Sequence, residues 1–103
     1  MRVELLYFDG CPSHGRLLPV VRRLARAAGA ELALRRIETR DEAEAERFLG
    51  SPTVRVDGRD VDPGAVDRTD YGLKCRLYRS DELGQSPVPP ARWIRAALDG
   101  PRA

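Results

Sequence analysis

Apolar positions follow two different periods along this chain, and the order in which the periods alternate predicts a layered α/β domain. Residues 3–8, VELLYF, are β-prone and almost wholly apolar, the pattern of a central strand covered on both faces. Asp9-Gly10 breaks that strand. From Pro12 to Ala28 the residues Leu17, Val20, Val21, Leu24 and Ala28 recur at helical spacing, and Gly29 supplies a stop. Pro19 falls inside this helix and should kink it rather than break it, because the residue four back is the small Gly15. Residues 31–37, ELALRRI, alternate as a second strand, parallel to the first because a helix crosses over between them.

Thr39 and Glu42 have capping-box spacing, and Ala43, Ala45, Phe48 and Leu49 give the next helix an apolar side before Gly50 ends it. Residues 52–61 then read as two short antiparallel strands joined by Asp57-Gly58, the strongest hairpin signal in the chain. Residues 62–90 lack strong periodicity, except that Leu73, Cys75 and Leu77 alternate with Lys74, Arg76 and Tyr78; this predicts an insertion, about 63–88, with one strand. Pro89-Pro90 opens a last helix whose apolar face is Trp93, Ile94, Ala97 and Leu98, closed by Gly100-Pro101. Repeats and low-complexity tracts are absent from the sequence.

With 103 residues, 42% of them hydrophobic and 33% charged, the chain has material for one core and is expected to fold as a single domain spanning 1–103. The 18 basic residues are spread through every segment against 16 acidic ones, so the charge does not call for nucleic acid. Met1 runs straight into an apolar alternation without a basic leader, and no run is long enough to span a bilayer, so no membrane partner and a cytoplasmic location are expected. In that compartment two cysteines are more often reactive, metal-binding or buried than a structural staple. With one histidine they are too few for a closed zinc site, and neither a resident metal nor a cofactor is expected.

A βαβαββα order, with Cys11 at the junction of the first strand and helix and Ser51-Pro52-Thr53 opening the third strand, resembles the thioredoxin superfamily over nearly the whole chain. Cys11-Pro12-Ser13-His14, the internal Pro19 and the Asp57-Gly58 hairpin carry the same resemblance. It implies a mixed four-stranded sheet, a cis bond before Pro52 close to Cys11, and a substrate groove shaped by Pro12, Ser13, Ser51, Pro52 and Thr53. Within the superfamily, Phe8-Asp9-Gly10-Cys11-Pro12 followed by His14 is similar to a small bacterial group of thioredoxin-like proteins sometimes labelled alkylmercury-lyase-like. His14 stands where a second motif cysteine would be, which excludes a dithiol cycle through two neighbouring cysteines.

The physical reason for a thiol at this place is independent of the family: free backbone N–H groups and the positive end of the helix dipole favour thiolate over thiol. His14, three residues on and on nearly the same helical face, is a candidate to assist as a charge or as a proton relay. Taken alone, a cysteine at a helix start is more often an inert small residue and a first-turn histidine is usually just solvated. For Cys75 the readings are a remote resolving cysteine, a buried small hydrophobe on the Leu73-Cys75-Leu77 face, or a metal ligand. Topology favours the first, because an insertion that begins after the hairpin starts at the same end of the sheet as Cys11.

Three functions follow as expectations. One is a thiol–disulfide oxidoreductase or related thiol-dependent redox protein, with Cys11 attacking a thiol or disulfide substrate and either Cys75 or glutathione resolving the mixed disulfide. Another is a binding protein in which Cys11 and Cys75, with His14, hold a thiophilic ion such as mercury or copper(I). The third is a non-catalytic interaction module. Oligomeric state, substrate and reductant are not fixed by the sequence.

Overall fold

VELLYF takes the middle of the sheet, as its two-sided apolar character requires. A computed structural model describes residues 1–99. Within them, β1 (Arg2–Tyr7), α1 (Pro12–Ala27), β2 (Glu31–Arg36), α2 (Arg40–Ala45), β3 (Thr53–Val56), β4 (Arg59–Asp60) and, after an insertion, α3 (Ala91–Leu98) follow in the expected order. The four-stranded sheet is mixed, in the order β2-β1-β3-β4. β1 runs parallel to β2, with Leu5 opposite Leu34, and antiparallel to β3, with Leu5 opposite Val54.

Each face of the sheet carries its own core. On one, Val3 and Leu5 of β1 and Val54 and Val56 of β3 pack with Leu17, Val21 and Leu24 of α1 and Ile94 and Leu98 of α3. On the other, Leu6 packs with Ile37, Ala43 and Phe48. Complete burial of a side chain of this size contributes about 1.5–3 kcal/mol over exposure, so both layers hold the sheet. α1 runs unbroken through Pro19. No helix among the described residues is long and apolar enough to cross a membrane. The expected Gly100-Pro101 stop of α3 lies outside the described residues.

α2 is shorter than its apolar pattern suggests, ending at Ala45 instead of running to Leu49. Its start is the expected capping box, with the Glu42 N–H donating to Thr39 Oγ1 and the Glu42 carboxylate accepting from the Thr39 N–H. Its end is a Schellman turn, in which the Phe48 N–H donates to Ala43 O at 2.8 Å and the Arg47 N–H to Glu44 O at 3.2 Å. Arg47 occupies the left-handed position at φ 54°, a place where glycine is usual, and the turn swings Phe48 into the core. Arg47→Gly should therefore stabilise the protein by about 0.5–1 kcal/mol, read as a raised urea midpoint with an unchanged slope.

Asp57 and Gly58, at φ 50° and 84°, form the two-residue hairpin between β3 and β4. The insertion differs from its single expected strand. A 3₁₀ turn at Pro63–Asp67 is followed by an isolated bridge at Cys75 and by a small hairpin of β5 (Tyr78–Ser80) and β6 (Gly84–Ser86). The Arg92 side chain on α3 donates two hydrogen bonds to the Glu82 carboxylate in that hairpin's turn.

Candidate functional site

Strand direction alone brings the sequence-predicted residues together. Because β1 and β3 are antiparallel, the segment that leaves β1 and the one that enters β3 meet at one end of the sheet, and these carry Cys11 and Ser51-Pro52. The Ser51–Pro52 bond is cis. Cys11 is the N-cap of α1, with Pro12 in the first turn, where its missing N–H costs nothing. The thiol makes no capping bond; it donates instead to Ser51 O at 3.6 Å and is 3% exposed.

His14 is placed differently from the expectation of direct help to the thiol. Its ring stacks on Tyr7, with centroids 4.2 Å apart, and its Nδ1 lies 2.7 Å from the backbone carbonyl of Cys11. A carbonyl only accepts, so Nδ1 carries the proton and the ring is held as a brace for the β1–α1 turn. The hydrogen-bond partner of the Cys11 sulfur is the Ser51 carbonyl, not the imidazole.

The insertion then returns to this end of the sheet. Cys75 is the parallel bridge partner of Ser51, whose N–H donates to Lys74 O at 2.8 Å and whose carbonyl accepts from the Arg76 N–H at 2.9 Å. One carbonyl oxygen therefore binds both the Cys11 thiol and the N–H that follows Cys75. Of the expected groove residues, Pro12 is exposed and Ser13 half-buried, but Ser51, Pro52 and Thr53 are buried. The chain's own residues 74–78 cover them.

Alternation across residues 73–78 holds, but with the faces reversed. Leu73, Cys75 and Leu77 are exposed, so Cys75 is not the buried small hydrophobe that an apolar stripe suggests, whereas Arg76 and Tyr78 are buried. The reason is a polar socket. Arg76 forms a two-point ion pair with Asp60, at 2.7 and 3.1 Å, and reaches Asp62 at 3.3 Å and Thr53 Oγ1 at 3.0 Å. Its guanidinium also lies 4.4 Å from the centre of the Tyr78 ring. The Tyr78 hydroxyl donates to the Pro52 carbonyl, and burial pushes its pKa far above the usual value, which keeps it a donor. Tyr78 in turn meets Trp93 of α3 edge-on.

Gly50 shows how close the covering segment lies. At φ 124° it adopts a backbone that side chains rarely take, and a Cβ there would sit 2.9 Å from Lys74 O and 3.0 Å from Arg76 Cβ. Sequence reasoning passed over Gly50, Asp60, Asp62, Arg76 and Tyr78 as site residues. The available signal was the i, i+2 spacing of both Asp60–Asp62 and Arg76–Tyr78, which puts two charges of one sign on one side of a chain and their counter-charge on one side of another. Ser51 Oγ is buried and makes no hydrogen bond among the described residues. Among the described residues, three or more His, Cys, Asp or Glu side chains do not converge as a metal site.

No protein-family model, curated protein or solved structure matches this chain.

Proposed function

We propose that this chain is a thioredoxin-like thiol–disulfide redox protein in which Cys11 and Cys75 form the working pair. A single observation carries the reading: both cysteines converge on Ser51, one donating to its carbonyl and the other paired with it across the bridge. A helix-start thiol and the backbone of a distant cysteine thus meet at one residue, in a chain whose motif has no second cysteine of its own. A disulfide requires Cα atoms within about 7 Å, a separation that neighbours of one residue in a small cluster can reach. In the reaction the two thiols give up two electrons and two protons to an external disulfide, which leaves as two thiols.

The test is mild oxidation by glutathione disulfide, followed by alkylation, digestion and mass spectrometry. Both thiols are expected to disappear together in a monomer, with one peptide pair joining Cys11 to Cys75. Dimers linked through Cys11, or glutathione adducts alone, would exclude the pair. Two cysteines that meet at one residue would also suit a two-coordinate ion such as mercury(II) or copper(I). Stoichiometric metal in freshly purified protein, lost when either cysteine is replaced, would favour that second reading.

A further inference from the structure

The two thiols are unequally accessible, in the opposite sense to the roles that the helix-start position suggests. Cys11 is 3% exposed, while Cys75 is open to solvent between Leu73 and Leu77, themselves 40% and 54% exposed. Nor can an extended partner chain reach Cys11 by pairing with Ser51, because Lys74 and Arg76 take both of its backbone groups. The covering segment is pinned just beyond Cys75 by the buried Arg76 and Tyr78. A cleft of about 580 Å³ between α2 and residues 71–74 ends at Lys74, next to Cys75, and its volume suits a small molecule. Its lining includes Arg40, Glu44, Tyr71, Leu73 and Lys74. Neither Arg40 nor Glu44 makes an ion pair among the described residues, whereas Lys74 is paired with Asp70 at 2.7 Å. One cation and one carboxylate thus remain unpaired beside an aromatic ring, in a cleft whose wall ends one residue short of the exposed Cys75.

Building on the redox reading above, we infer that Cys75, not Cys11, is the thiol that meets the external reactant, a small zwitterionic disulfide seated in this cleft. Its carboxylate faces Arg40 and its ammonium faces Glu44. The Cys75 thiolate attacks one sulfur of that disulfide, forming a mixed disulfide and releasing the first thiolate. Cys11, giving up its proton, then attacks the Cys75 sulfur and expels the second thiolate. Cys11 and Cys75 end as one disulfide, and the reactant is reduced to two thiols that take up the two protons. Cys11 is the internal resolving thiol.

Glutathione disulfide and the neutral 2-hydroxyethyl disulfide serve as probes. Cys11→Ser should accumulate one adduct on Cys75, while Cys75→Ser should react about a hundredfold more slowly, since Cys11 waits for local opening. Arg40→Gln, made in Cys11→Ser, should slow adduct formation by glutathione disulfide about threefold to tenfold and leave the neutral probe unaffected. Trace labelling of the unaltered protein with iodoacetamide, which depends on no variant folding, should mark Cys75 first. The inference is overturned if Cys11 labels as fast as Cys75, or if Arg40→Gln affects both probes alike. Should Cys75 take the adduct while the unaltered protein never proceeds to a Cys11–Cys75 disulfide, the exchange thiol stands and the paired redox reading fails. A pair that forms with Cys11 labelling first gives the converse.

Discussion

Replacing Arg76 by methionine is expected to lower the unfolding free energy by about 3–5 kcal/mol, the cost of breaking one partner out of a buried ion pair. The guanidinium has no exposed surface, and Asp60 and Asp62, each 15% exposed, face it from the end of β4 and the turn beyond. Methionine fills much of the volume but leaves two partly buried carboxylates without a counter-charge. The loss would be a large share of the 5–15 kcal/mol typical of a domain. Urea unfolding measures it, and a companion variant isolates the cause: Arg76→Met combined with Asp60→Asn and Asp62→Asn should recover part of the loss, because the uncompensated charge is gone. Arg76→Lys should also recover only part, since an ammonium cannot repeat the two-point contact with Asp60. A single variant within about 1 kcal/mol of the unaltered protein would show that the socket holds nothing in place.

Gly50→Ala should cost about 2–4 kcal/mol, from an unfavourable backbone angle and a collision with the covering segment together. The atoms that a Cβ would strike, Lys74 O and the Arg76 Cα and Cβ, belong to the stretch bridged to Ser51, so the easiest relaxation is for residues 74–76 to lift away. The sheet, built from β1–β4, can stay intact when they do. The expected signature is therefore selective: a moderate drop in urea midpoint together with a large rise in the alkylation rate of Cys11 in the folded protein. A variant as destabilised as expected but with Cys11 still protected would mean that the segment does not guard the thiol.

What could be read from the sequence was what neighbours in the chain determine. The capping box at Thr39 and Glu42, the Asp57-Gly58 turn and the cysteine at the start of α1 depend on contacts a few residues long, and the structure has each of them. The order of the elements followed from the switch between the two apolar periods. The end of α2 was hidden because a left-handed residue is normally announced by glycine, and here it is Arg47. The covered face of residues 73–78 stayed open for a different reason. Alternation shows which side chains share a side but not which side is covered, and the covered side was chosen by Asp60 and Asp62, more than a dozen residues earlier in the chain. Strand direction anticipated that the insertion starts at the Cys11 end of the sheet, but not that Cys75 pairs with Ser51 or that the chain itself occupies the Ser51 backbone.

β4 is only two residues long, Arg59 and Asp60, and it forms one border of the sheet. Open sheet borders offer rows of unpaired N–H and C=O groups on which a second molecule can extend the sheet, the first step of many aggregation routes. A two-residue border offers almost no such row. Asp60, turned toward Arg76, adds a charge that an incoming strand would have to strip of its partner. The side chains that fasten the insertion over Cys11 thus also make this side of the molecule a poor template for edge-to-edge association between copies.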